Sequence, residues 1–594
     1  MKKALSLLFA LLFVLALFSG CGQGSANPTP QPQNTTAPET SETAVPTEEV
    51  NTGADNTKPG PLDHLANGNF PKDEHGFATQ TYDYEGPLTT SDEVFTFWTV
   101  TYMPQLVPEE GFNNTSLPKV EREATGVQME YQLIPSESRR ENYAVLLASD
   151  DLCDLMTGTI SFHPGTIEDG IEDGFYINIH DYMDYCPNYI YEVTHDRKND
   201  TNTYATVFRG PDVIAAFYTL SKGSNLSTNY LARRDWLEKC GLTNDDVNTF
   251  EDLHDMLMAF KVNIDTCDYP WSMLSTIDAR GYYTFTAYDT LPAVSGTALG
   301  PMYVIDGTVY FSHSTERDKE FMTMINSWYN DGIIDPNWAG YSSVADTKSR
   351  AVNSQVGYMM MNIQEIPDYE QAIPSNSDQP TWVPIKRPVR YEGQTFHMGG
   401  ERSRLGIGTV SVNAKSSDIP LLVSWCDWRY SPKGSEIVSF GEEGVLWKWD
   451  ENGKRVATDF AFSNPGGFGF GWITLFYGFN ALAEHGMGDN AVTDLQPGWE
   501  KMKDIVAYWA QWDYDGAYEY PAGAKLNQEQ SEKVDQYKND VATYIAENYL
   551  AFVDNSKPLS EWDSYVDGLM QHNFPEVVAL YQEAYDTFQA TMVY

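Results

Sequence analysis

The chain is short of basic residues. Its 594 residues carry 38 Lys and Arg against 84 Asp and Glu, a formal charge of −46. A field of that sign repels nucleic acid and anionic lipid headgroups, and it opposes polyanionic ligands such as uronate polymers unless a local basic patch overrides it. Cysteine is scarce as well. Besides Cys21 there are Cys153, Cys186, Cys240, Cys267 and Cys426, an odd number without metal-ligand spacing. Isolated, mostly buried thiols are expected, with one disulfide left open. His163 and His180 each lack a partner ligand at metal-binding spacing. There is no G-x-S-x-G, no H-E-x-x-H and no P-loop. No cofactor and no metal are expected. After residue 18 the apolar runs are too short and interrupted to cross a bilayer.

What is present begins with Lys2 and Lys3, followed by an apolar run from Ala4 to Phe18. That length fits the core of a secretory signal, read as residues 1–20. The run ends in Leu17-Phe18-Ser19-Gly20-Cys21, which resembles a bacterial lipobox, although Phe18 departs from the usual residue three before the cysteine. Cleavage before Cys21 would leave it lipidated; an ordinary cleaved signal with a free cysteine is the alternative. Residues 21–60 are rich in Pro, Thr, Gln, Asn, Ser and Glu and nearly free of large apolar residues. They cannot bury enough surface to offset the entropy of ordering, so they read as a disordered stalk. Residues 61–91 read as a lead-in arm.

The remaining 500 or so residues exceed one hydrophobic core, and two or more lobes are expected. Val94–Val100 is a continuous β-prone run and the first core strand. Thr249 with Asp252 forms a capping-box pattern ahead of Phe250, Leu253, Leu257 and Phe260, which share one helix face. Asp235 reads as another N-cap and Gly241 as a C-cap. Asp306-Gly307 and Asn452-Gly453 mark hairpin turns. Trp447 and Trp449 have the same parity and share one strand face, where they would either stack on a ring or seal the sheet. Phe468-Gly469-Phe470-Gly471-Trp472 interleaves glycine with aromatics, a pattern suited to a loop that a ligand approaches closely.

Residues 230–261, YLARRDWLEKCGLTNDDVNTFEDLHDMLMAFK, resemble the "RKDWLDKLGL…P-x-T-x-x-E-L-x-x-x-L-x-A-F-K" block of extracellular solute-binding proteins of ABC importers, in their large, oligosaccharide-associated lipoprotein branch. FGEEGVLWKWDENGKRV and the terminal YQEAYDTF match further blocks. The resemblance implies an α/β, two-lobed periplasmic-binding-protein-like fold (type II), with multiple hinge crossovers and a helical C-terminus. Residues 92–212 with 354–402 are assigned to lobe 1, and 213–353 with 403–594 to lobe 2. Many relatives carry a calcium loop after this block. Here Asp265, Asp268 and Pro270 remain without its glycine or glutamate, and no calcium is expected. In the family the first strand points at the cleft, which makes Trp98 and Tyr102 candidate ligand contacts. Arg209 and Tyr218 lie where the chain first crosses between lobes; Arg209 is either a donor to ligand or half of an ion pair. Trp271, Trp447, Phe468 and Trp472 complete the set. The implied role is a monomeric capture protein, lipid-anchored on the outer face of a Gram-positive cell. It would bind a small-molecule or oligosaccharide ligand, a neutral glycan by the charge argument, and deliver it to ABC permease subunits. A secreted glycan-active enzyme and a peptide-binding protein of the same fold are the alternatives.

Overall fold

The computed structural model describes residues 64–591 apart from 223–227, 278–281, 295–298, 343, 374–379, 400–403, 464–468, 479–483, 489–493, 497–498 and 510–513. The expected signal, Cys21, the expected stalk and Phe468 therefore lie outside the described residues.

Nine strands build two sheets: β1 (Val94–Thr101), β2 (Gln128–Pro135), β3 (Leu155–Thr157), β4 (Phe217–Ser221), β5 (Thr228–Arg233), β6 (Tyr358–Asn362), β7 (Trp382–Pro384), β8 (Leu405–Val412) and β9 (Gly486–Gly488). The first sheet has the order β9-β4-β8-β3-β1-β2. All its strands are parallel except β8, which runs against β3 and β4. β1 is buried on both faces: Phe95 and Phe97 enter one core, Trp98 and Val100 another. That explains its continuous β-prone run with apolar residues on both faces, as a strand covered on both sides needs. The second sheet is β6-β5-β7, with both neighbours antiparallel to β5.

Two of the sequence-assigned lobe boundaries are corrected by these pairings. Residues 354–402 are expected in lobe 1, but Tyr358–Asn362 pairs with Thr228–Ala232 and belongs to the second lobe. Residues 403–495 were expected in lobe 2, but β8 inserts between β3 and β4 of the first sheet. Trp425, Trp447, Phe476 and Leu495 then join the first core. The first crossing also falls later than expected, between β4 and β5. An apolar run announces a core strand, but nothing local to it says which sheet will accept it.

Local signals are otherwise followed. Of the helices, α1 spans Arg139–Ser149, α2 Phe250–Asn263, α3 Glu316–Asn330, α4 Phe470–Tyr477, α5 Gln528–Tyr549 and α6 Phe574–Thr591. Thr249 caps α2 through the Asp252 N–H, and Asp252 returns the bond. Asp306 and Gly307 take φ of 50° and 80°, the left-handed pair that a tight hairpin requires. Asp235 is not an N-cap. The helix starts at Arg234, and Asp235 in its first turn accepts two hydrogen bonds from Arg233. That guanidinium lies over the rings of Trp236 and Trp382. α5 and α6 pack on the second core, so the chain ends as helix on that lobe. The five described cysteines are free, and all but Cys240 are buried.

The lead-in arm is part of the first lobe. Leu65, Phe77 and Leu88 enter its core, and the Tyr84 hydroxyl donates to Asp427 at 2.7 Å. Asp427 also accepts from the Asn188 amide at 2.8 Å and the Tyr189 N–H at 2.7 Å. Burial pushes its carboxyl up to about 7 against those three bonds. An unfolded carboxyl ionises near 4. Between about pH 4 and 7 the folded state keeps a proton that the unfolded state has released, so this group's contribution to stability falls as pH rises. The stability gap between wild type and Asp427→Asn, read from urea midpoints, is expected to narrow from pH 5 to pH 7.5. A gap that widens contradicts the assignment.

Candidate functional site

The carboxyl ends of β1, β2, β3 and β4 share one edge of the first sheet, because these strands are mutually parallel by register. The chain leaves the first lobe from that edge after Ser221 and returns to it at Leu405. Arg404 ties the two crossings together. It donates to the Ser221 carbonyl at 3.1 Å, the Glu192 carbonyl at 2.9 Å and the Glu192 carboxylate at 2.6 Å. In open α/β sheets ligands bind outside the carboxyl ends of the strands, and here that edge is also where the lobes meet.

Tyr102 sits at this edge, one residue past β1. With Thr101, Met103, Phe112, Leu133 and Phe476 it lines a narrow recess of about 10 Å³. That is room for about one water molecule, whereas ligand cavities run to about 300–1,000 Å³; the recess marks a place on the edge and cannot hold a sugar ring. Phe476 comes from α4. Trp472, four residues earlier on the same helix face, remains 46% exposed. Tyr102 thus lies at the edge, and Trp472 lies on the helix that reaches the same recess through Phe476.

The other candidates do not reach it as free side chains. Trp98 is fully buried; its indole N–H donates to Asn142 Oδ1 at 2.6 Å. Trp271 is fully buried in the second core among Tyr230, Phe285, Trp328 and Tyr358. Arg209 is committed to the Glu168 carboxylate through Nε and Nη2, and Tyr218 is buried beside it. Trp447 is 7% exposed, while its strand neighbour Trp449 is 47% exposed. The two rings share a face as their parity implied, with centroids 5.2 Å apart, and the Arg455 guanidinium lies 4.8 Å and 4.9 Å from them.

Sequence reasoning missed the polar end of the second lobe. Thr228 and Asn362 are paired where β5 begins and β6 ends, on the side from which the chain arrives. Asn362 Nδ2 approaches the Thr228 hydroxyl at 3.4 Å, and the Thr284 hydroxyl approaches Asn229 Oδ1 at 3.4 Å. Amides and hydroxyls at a strand end are a usable signal only once the crossing point is known. It also missed Asn142, Arg139 and Arg140, which open α1 at the carboxyl edge of β2. Among the described residues no group of His, Cys, Asp and Glu is arranged to hold a metal ion, and no helix is long and apolar enough to cross a membrane.

No protein-family model matches the chain. A curated relative, the fructooligosaccharide ABC transporter substrate-binding protein FusA of Streptococcus pneumoniae serotype 4, is 23% identical over 563 residues, covering 86% of this chain and 93% of its own. The HMO binding ABC-transporter associated solute binding protein of Bifidobacterium longum infantis superposes with a TM-score of 0.63 at 15% identity, covering 83% of this chain and 99% of that one. The alginate-binding protein AlgQ2 gives 0.57 at 19% identity, over 84% and 99%. The expected two-lobed α/β fold is therefore that of solved binding proteins matched over nearly their full length. In its sequence blocks, its length and its fold, the chain is similar to extracellular solute-binding proteins of ABC importers.

Proposed function

We propose that the protein captures a neutral oligosaccharide between its lobes and hands it to the permease subunits of an ABC importer. The observation that carries the proposal is the near full-length match to a relative named for fructooligosaccharide, together with an exposed aromatic and a donor-rich edge where the two lobes meet. Tyr102 and Trp472 are the proposed ring contacts: an aromatic face fits the apolar C–H face of a sugar ring, and hydroxyls pair with the amides around it. Thr228, Asn229 and Asn362 are the proposed contacts from the second lobe. The charge of −46 favours a neutral glycan over a polyuronate, although one protein of this fold is named for alginate. The relatives are named as binding proteins and not as enzymes. Lipidation at Cys21, with the stalk as tether and the outer face of a Gram-positive membrane as the location, completes the reading, and the bound protein acts as a monomer.

A thermal-denaturation screen tests the ligand class. Ligand that binds only the folded state raises the melting temperature by mass action. Neutral fructo-oligosaccharides, other neutral glycans, oligouronates and peptides are compared at one concentration. The neutral series is expected to raise the transition, peptides and oligouronates to leave it in place. A shift with peptides alone overturns the glycan assignment. The anchor is checked separately: labelled fatty acid is expected in the wild type and absent from Cys21→Ser.

A further inference from the structure

The carboxyl edge of the first sheet holds a group of side chains whose donors are fixed in advance. Trp98 is fully buried, and its indole nitrogen can only donate. Its partner atom on Asn142, 2.6 Å away, must therefore be the amide oxygen. The chemistry removes the usual ambiguity between amide O and N: the Asn142 NH2 is turned away from Trp98. Asn142 is only half-buried and lies in the first turn of α1, directly after β2 ends at the edge. Its two N–H donors are thus turned away from a buried support, at a residue that is only half-buried.

Two arginines flank it. The Arg139 and Arg140 guanidiniums lie 6.0 Å and 5.2 Å from the Phe162 ring, and Trp98 and Tyr143 pack edge-on against the same ring from within. Phe162 belongs to the short helix that follows β3, so the cluster joins the segments after β2 and β3 to Trp98 of β1. Arg139 donates to the Ser136 carbonyl and Arg140 to the Ser161 carbonyl, not to carboxylates. Each guanidinium has five N–H donors, so most remain for another acceptor. Two exposed carboxylates, Glu137 and Glu141, share this turn, so the donors of Asn142 and the arginines stand beside acceptors at the edge.

We infer that Asn142, held by Trp98 and flanked by Arg139 and Arg140, forms a subsite whose donors read hydroxyl oxygens of the bound sugar. It rests on the capture function proposed above and adds the lobe-1 residues that select the ligand. Asn142 and the arginines touch ligand; Trp98, offered by the sequence as a contact, is a positioning residue. The amide and guanidinium donors can take either kind of oxygen, so neutral hydroxyl and carboxylate ligands are the two sources to separate; Glu137 and Glu141 in the same turn oppose the carboxylate. The overall charge favours the hydroxyl.

The test is calorimetric titration of the full chain in detergent with kestose, the sugar held by a solved relative, or with the neutral glycan that ranks first in the thermal screen. Asn142→Asp keeps the acceptor that Trp98 needs but replaces the outward NH2 by oxygen, and an acidic residue in the first turn of a helix does not impair folding. Its affinity is expected to fall by about tenfold or more with the urea midpoint unchanged. Trp98→Phe, which removes the N–H, is expected to weaken binding in the wild type and to add little in the Asn142→Asp background; a purely structural role would add its effect in both. Equal affinity of wild type and Asn142→Asp overturns the subsite and leaves the capture function standing. Wild-type preference for an oligouronate overturns the hydroxyl assignment. No binding of any neutral glycan by the wild type overturns both readings.

Discussion

Arg429→Met is expected to cost the first lobe about 3–5 kcal/mol. Arg429 is fully buried, with Nε 3.1 Å from Glu121 and Nη1 2.9 Å from Glu484, both of which are themselves buried. The Tyr131 hydroxyl donates to Glu121, and the Thr99 hydroxyl reaches Glu484 at 3.5 Å. One cation therefore offsets two carboxylates in a dry core. Even so, burial pushes Glu121 up to about 7, with Arg429 opposing. Removing the guanidinium leaves two carboxyls facing each other, and they must take up protons to stay folded. The folded variant then holds protons that the unfolded chain releases, so its stability falls as pH rises. The loss, read from urea midpoints, is expected to be larger at pH 8 than at pH 5. Adding Glu121→Gln and Glu484→Gln to the variant is expected to recover much of it, because a buried charge without its partner costs more than a buried neutral group. A loss under about 1 kcal/mol, or one that does not depend on pH, contradicts the assignment of these three residues as one charged unit.

Two tryptophans are expected to separate support from contact. Trp271→Ala removes a fully buried ring packed against Trp328, Phe285, Tyr230 and Tyr358. Large-to-small changes of this kind cost about 3–5 kcal/mol, the transfer energy of the ring plus the cavity left behind. The cost should appear in the unfolding of the second lobe whether or not ligand is present. Trp472→Ala removes a half-exposed ring, and surface changes move stability by only about 0.5 kcal/mol. Its affinity for the glycan is expected to fall by about tenfold or more, the effect of losing an aromatic anchor. If Trp472→Ala binds as wild type does, Trp472 is not a platform. If Trp271→Ala folds with unchanged stability, the core placement of Trp271 is wrong.

Where a structural feature is set by neighbours in the chain, the sequence made it readable. The Thr249–Asp252 cap, the Asp306-Gly307 turn and the double-sided β1 all follow from residues within a few positions of one another. Lobe membership did not. Residues 358–362 could pair in either sheet, and the partner, 228–233, lies more than a hundred residues away. The same limit governed the site. Trp98 and Trp472 look alike as aromatics in β-prone or glycine-rich stretches, yet one is sealed in a core and the other is exposed. Arg209 could not be recognised as half of an ion pair, because Glu168 is 41 residues distant. Parity correctly put Trp447 and Trp449 on one face but could not tell that Arg455 fills the space beside them. Asn142 carries no motif at all; it becomes visible only when Trp98 is seen donating to it.

Capture without chemistry is tested most directly by equilibrium titration followed by recovery of the ligand. The wild-type protein is titrated with neutral oligosaccharides of increasing length, and the bound sugar is then released by denaturation and chromatographed. Saturable one-to-one binding of at least one neutral glycan, and its recovery intact, are expected. Release of shortened products or new reducing ends, or saturable binding of peptides and no glycan, would contradict it.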